Sequence, residues 1–260
     1  MNSRDPGLRP TPPAAATTAL PVNPLQHGLA LFHATPPDYP RAVGWFRAAA
    51  ETDDGDGLAM LGLCQLEGLG LPADAVQARA LLERAAARGS AIGRFQFGRV
   101  LMTGRGGPAD EGRGLSAYVA AAAMAHAEAT FNLANCLYAG VGCIPDRLAA
   151  KALYLRSRTL GCALRPHGVR VQRRELKAVR TLALRFADPN RLIFLMQERQ
   201  QELALAHAVT QQQPRKGRDT KAAKLRALRL AAGVVAAMAG TLGQYLRPPS
   251  RDAGPTTISF

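Results

Sequence analysis

The stretch EGLGLPADAVQARALLERAAARG, residues 67–89, decides how the chain is read. Gly68 and Gly70 stand one residue apart, Asp74 follows, and a run of alanine and leucine closes on Gly89. Taken alone, the glycine pair invites a phosphate cradle. The same signs return, however, as Gly104, Gly106 and Asp110 and again as Gly140, Gly142 and Asp146, each time after 36 residues. One phosphate site would not be built three times, and neither a preceding strand pattern nor a third glycine at dinucleotide spacing accompanies the pair. The glycines therefore read as turns that interrupt a helix, and each aspartate as the N-cap of the next one.

The same period aligns Leu61 with Phe97 and Leu133, Gly62 with Gly98 and Ala134, Leu82 with Tyr118 and Tyr154, and Gly89 with Ala125 and Gly161. Three tandem units are expected at 57–92, 93–128 and 129–164. In the first, Leu58, Leu61, Gly62 and Gln65 fall at helical spacing over Gly57 to Glu67. A second helix opens at Asp74, with Gln77 placed to complete a capping box, and Ala78, Leu81, Leu82, Ala85 and Ala86 form one apolar stripe. Small residues at 62, 78, 85 and 86 let helix backbones approach closely, while a lone hairpin cannot bury both of its faces. The hairpins must stack.

These motifs resemble the Sel1-like repeats, helical-hairpin units related in architecture to tetratricopeptide repeats. The resemblance rests on MLGLCQLEGLGLPADAVQARALLERAAARG and its two copies. Gln65, Leu101 and Leu137 depart from it where the family has tyrosine, and Gly114 where it has alanine. A degenerate unit over 25–56 keeps Asp38, Ala42, Trp45, Phe46 and Ala49 but replaces the glycine turn with ATPPDYP, shorter by about two residues; it is expected to cap the N-terminal end. The resemblance implies an all-α solenoid of antiparallel hairpins, with extra C-terminal helices here, acting as a non-catalytic protein-interaction scaffold. In such a stack the first helices line a groove, and binding falls to side chains that packing does not need. Met60 and Leu63, Gln96 and Arg99, and Asn132 and Asn135 occupy those sites in successive units. They grade from apolar to hydrogen-bonding, as a peptide or protein ligand requires.

Composition agrees with a helical interior: 47% of residues are hydrophobic and only 5% aromatic. The formal charge of +14 is uneven, +2 over residues 1–164 and +12 over 165–260. No catalytic or metal site is expected: none of the six serines lies in a nucleophile elbow, and Cys136 and Cys143 are seven apart rather than at zinc spacing. No cofactor is implied. No secretory pattern opens the chain, and the four cysteines are expected to be free thiols in a reducing, cytoplasmic setting.

Flanking segments complete the reading. Residues 1–24 are a Pro/Ala/Thr-rich leader expected to be flexible. Residues 165–212 form a basic helical cap, in which Leu176, Val179, Ala183 and Phe186 share one face opposite Arg173, Lys177 and Arg180, and Asp188 with Pro189 starts a helix running to about Gln212. A basic linker follows over 213–229, then an apolar helix over 230–246 and a flexible tail over 247–260. From Leu230 to Leu246 there are 17 residues without formal charge, about 26 Å of helix. Preceded by Lys216, Arg218, Lys221, Lys224, Arg226 and Arg229, the segment suits an anchor at the cytoplasmic face of a bacterial-type inner membrane, or else a soluble helix packed on the solenoid or a partner, or a helix lying in the membrane interface. The competing reading is a soluble adaptor whose basic third binds an acidic partner or nucleic acid. Nucleic acid is the weaker of these, since no recognition pattern accompanies the charge.

Overall fold

The computed structural model describes residues 23–211. Residues 213–229, 230–246 and 247–260, and the leader up to residue 22, lie outside the described residues. Among the described residues the regular structure is helical throughout: α1 (Pro24–Phe32), α2 (Tyr39–Glu51), α3 (Gly55–Glu67), α4 (Ala75–Ala87), α5 (Ala91–Thr103), α6 (Glu111–Ala123), α7 (Ala127–Ala139), α8 (Arg147–Thr159), α9 (Leu176–Arg185) and α10 (Pro189–Gln211), with a 3-10 turn at Arg173–Glu175 before α9. Each of α1 to α9 packs on its chain neighbour, and the first helices α3 and α5 also touch one another. No two successive second helices come comparably close, so α3 and α5 lie on the inner side of the stack. The fold is an all-α solenoid.

The caps repeat as the spacing predicts. Asp38, Asp74, Asp110 and Asp146 each accept a backbone N–H at the start of α2, α4, α6 and α8. The first helices carry a second periodic set that sequence reading passed over: Asp54, Ser90 and His126 cap α3, α5 and α7. These caps start the helices at Gly55, Ala91 and Ala127, two residues ahead of the expected unit starts. The capping box at Asp74 closes only by half. Asp74 accepts from the N–H groups of Val76 and Gln77, but the Gln77 side chain turns away and accepts from Gln65 Nε2 at 2.8 Å.

The two glycines of each turn have separate duties. Gly68, Gly104 and Gly140 end the first helices in the left-handed conformation, which costs glycine no steric penalty. Gly70, Gly106 and Gly142 press on the preceding unit. A Cβ at Gly70 would lie 2.5 Å from the Tyr39 carbonyl carbon, one at Gly106 would strike the Ala75 carbonyl oxygen, and one at Gly142 would lie 2.6 Å from the Glu111 carbonyl oxygen. Each turn thus rests on the N-terminus of the second helix one unit earlier, and this contact sets the spacing of the stack. Gly57 against Ala49 and Gly93 against Ala85 bring helices of adjacent units equally close. After the second helices, Asp53, Gly89, Ala125 and Gly161 occupy the corresponding positive-φ position. Only two of the four are glycine, so Asp53 and Ala125 hold a conformation that costs an L-residue about 1 kcal/mol.

Beyond the repeats α9 packs on α8, with Val179, Leu182 and Phe186 buried. Leu176, assigned to that face from spacing, is instead 40% exposed, because the buried face of α9 centres on Val179, Leu182 and Phe186 and leaves Leu176 at its edge. Asp188 accepts from the N–H groups of Asn190 and Arg191 and opens α10 as expected. Its destination was not expected: α10 folds back onto α6. Gln200, fully buried, accepts from Ile144 N–H at 2.9 Å and donates to Ile144 C=O at 3.0 Å. Arg199 donates from Nε to Asp146 Oδ2 at 2.6 Å and from Nη2 to Oδ1 at 3.0 Å.

Candidate functional site

A first helix is enclosed by its own hairpin partner, by the preceding second helix and, for α3 and α5, by the neighbouring first helix. Only a narrow strip of its surface is left open. This corrects the groove positions taken from the sequence. Met60 is buried against Ala42, Val43, Phe46 and Cys64. Gln96 is buried as well and spends its Oε1 on Arg99 Nη1 at 2.7 Å. Both serve packing, since their side of the helix faces neighbouring helices rather than the groove.

The row that does reach the surface is Leu63, Arg99 and Asn135, one residue per unit. Leu63 is half-buried, the Arg99 side chain is 39% exposed, and Asn135 is exposed. Asn132 is half-buried beside this row and hydrogen-bonded to the Tyr118 hydroxyl. Asn135 accepts the Tyr154 hydroxyl at 2.7 Å, which fixes its amide and leaves the NH2 group to donate outward. Arg99 also lies 3.8 Å from Glu67. Glu67 accepts from Arg105 Nη1 at 2.8 Å, and Arg105 Nη2 donates to the Leu66 carbonyl at 2.6 Å. Glu67 and Arg105 stand at a helix end and between the turn glycines, where no repeating spacing marks them in the sequence. The signal available was the opposite charge of Glu67 and Arg105, brought together by the stacking of α3 and α5.

Chemically the strip offers an apolar residue, a guanidinium partly engaged by a carboxylate, and an oriented amide donor. That set can hold a peptide backbone or a carboxylate through hydrogen bonds and can anchor an aliphatic side chain. The thiols point to packing roles: burial pushes Cys64 up to about 11 and Cys136 and Cys143 up to about 12, so all three are protonated at neutral pH and are poor nucleophiles or ligands. Burial likewise raises Tyr118 to about 12. Among the described residues no three His, Cys, Asp or Glu side chains converge as a metal site, and no helix is long and apolar enough to cross a membrane.

Stacked hairpins with capped second helices and glycine turns define an α-solenoid of short helical repeats. Three of the units are Sel1 repeats: a family model described as the Sel1 repeat matches residues 25–54, 55–90 and 127–162. The matched units begin where α3 and α7 begin, and the N-terminal unit is itself among them despite its altered turn. Residues 91–126 fall between the matches, although α5 and α6 keep the register of their neighbours. Among solved structures the chain is similar to a Sel1 repeat protein from Oxalobacter formigenes, at 27% identity over 64% of this chain and 73% of that one, with a TM-score of 0.50. A second, c5321, a protective antigen of uropathogenic Escherichia coli displaying an SLR fold, is 19% identical with a TM-score of 0.47. The match to c5321 covers 85% of this chain and about half (48%) of that one. No curated protein matches the sequence. Sel1 repeat proteins are in general protein-interaction scaffolds, and the family is typically non-catalytic.

Proposed function

We propose that the chain is a non-catalytic scaffold that holds a peptide or protein segment along the inner strip of its first helices. The observation that carries this reading is the recurrence of Leu63, Arg99 and Asn135 at one register position with surface exposure in each unit. A solenoid buries its conserved-register residues for packing, so an accessible row of changing chemistry is where partner selection can reside. Leu63 seats an apolar side chain, Arg99 meets a carboxylate or carbonyl, and Asn135 donates to backbone. A photoreactive side chain placed at position 63 or 135 is expected to capture the partner, while one at position 83, on the outer face of α4, is not. Leu63→Asn with Asn135→Ala should cut recovery of the captured partner at least fivefold, in protein whose cooperative melting shows that it is folded although Leu63 also packs on the core. Equal capture from position 83, or undiminished recovery by the folded double variant, defeats the reading.

The chain is further proposed to be tethered at the cytoplasmic face of the inner membrane through residues 230–246, on the support of their uncharged run and the basic residues before it. Fractionation tests this part separately. Full-length protein that stays soluble at low salt, and is unaffected by deletion of 216–260, removes the tether and leaves the groove reading intact.

A further inference from the structure

The exposed apolar residues are not scattered over the molecule. Seven of the nine large ones among the described residues lie at or beyond Leu164, with Leu184 at 75% exposure the most open of all nine. The same region is the basic one. Arg173, Arg174, Lys177, Arg180 and Arg185 are exposed, and none of the five is ion-paired among the described residues. Helical spacing puts Lys177, Arg180 and Leu184 on the side of α9 opposite the buried Val179, Leu182 and Phe186. Leu184 therefore sits inside the basic face rather than at its edge. Beside it runs a cleft of about 500 Å³ lined by Leu148, Ala178 and Leu182 together with Arg174, Lys177 and Arg185, and by Arg199, which is already paired with Asp146.

Three kinds of surroundings suit a basic face, and they differ in what they do with Leu184. Water would favour a polar residue there. A nucleic acid held through phosphates satisfies the cations but buries no leucine, and reading unpaired bases calls for aromatic platforms. The boundary of an anionic bilayer takes both, with phosphates on the cations and the aliphatic side chain in the interfacial layer. The linker over 213–229 does not suit as a cover, because Lys216, Arg218, Lys221 and Lys224 carry the same sign as α9.

We infer that α9 and its cleft dock on an anionic phospholipid surface, with headgroup phosphates on Arg174, Lys177, Arg180 and Arg185 and Leu184 dipping into the interface. This contact is separate from the groove and does not require the proposed tether. The full chain is mixed with sedimentable vesicles of phosphatidylcholine alone or with about a third phosphatidylglycerol. Binding is expected only to the anionic vesicles, falling roughly fivefold for each cation neutralised, as about 1 kcal/mol per basic residue implies. Lys177→Gln with Arg180→Gln and, separately, Leu184→Asp should each weaken partition at least tenfold without lowering the melting temperature, because these side chains are exposed. Equal binding to both vesicles, or retention by Leu184→Asp, overturns the inference. Binding to a DNA or RNA fragment that falls with the glutamine pair but ignores Leu184→Asp, with no vesicle binding, assigns the face to a phosphate polymer instead. Attachment that survives 1 M salt and every α9 variant belongs to residues 230–246 and overturns docking by α9 while sparing the tether.

Discussion

The second helices α4 and α6 occupy equivalent places in successive hairpins, yet one is a surface helix and the other is enclosed. On α4 the outward residues Ala80, Glu83, Arg84 and Ala87 are all exposed. Their counterparts one period on, Ser116, Val119, Ala120 and Ala123, are all buried, as is every residue from Gly114 to Ala123. The difference is α10. It packs on α6, contributing Leu192, Leu195 and Met196 to the core cluster that holds Val119, Ala122 and Ala123. What allows it is a small change in the third turn. Pro72 and Pro108 offer no N–H, but the corresponding Ile144 does, and the Gln200 amide brackets that one peptide unit. Equal register thus fixes a helix's place in the stack, whereas its outer stripe decides whether a further layer can be added.

Exchanging the outer residues would break this comparison most forcefully. Val119→Glu puts a carboxylate under α10 without a partner and is expected to cost about 3 kcal/mol or more, or to detach α10. Denaturant unfolding together with limited proteolysis of α10 reports either result. Glu83→Val loses only the exposed ion pair with Arg113 and should cost less than about 1 kcal/mol. Similar losses from the two substitutions would show that α10 does not cover α6 in solution.

A smaller effect separates the contact between units from simple turn geometry. Gly106→Ala drives a methyl group into the Ala75 backbone and should cost about 2 kcal/mol or more. At Gly89 φ is +85° but no atom lies within 4 Å of an added Cβ, so Gly89→Ala should cost about 1 kcal/mol. Equal costs would deny the second turn glycine its part in spacing α4 from α6.

The smallest effect tests the next helix, α7. His126 caps it by accepting Ala129 N–H at Nδ1, 3.3 Å away. Burial depresses the histidine below its usual value, against a lesser opposing pull from Glu128. A depressed folded pKa means that the unfolded chain takes the proton first. The cap's contribution is therefore full above the unfolded pKa of about 6.5 and is lost as pH falls through the folded value. Thermal melts from pH 8 to 5 should show a loss of about 1 kcal/mol, which His126→Ser, matching Ser90, removes. A pH dependence unchanged in that variant would place the titration elsewhere.

Much of this molecule could be read from the chain. Asp74, Asp110 and Asp146 act as the caps their spacing announced, and Gly68, Gly104 and Gly140 adopt the left-handed turn expected of them. The groove was less legible. Spacing placed Met60 and Gln96 on its face, but a first helix is enclosed on several sides, and sequence period alone cannot tell which side faces a neighbouring unit. The fold-back of α10 had a trace in the sequence, the loss of charge where α4 has Glu83 and Arg84 and α6 has Val119 and Ala120. That trace acquires meaning only once a partner helix is found.

By itself the sequence determined the hairpins, their 36-residue pitch and the caps and turns that bound each helix. These depend on interactions among residues a few positions apart, repeated often enough to stand out from chance. The tertiary structure alone decided that α10 encloses α6, that Met60 and Gln96 are core, and that Leu184 stays open among cations. Those outcomes hang on pairings such as Gln200 with Ile144, 56 residues apart, where the energy comes from surfaces meeting in space and leaves no period along the chain.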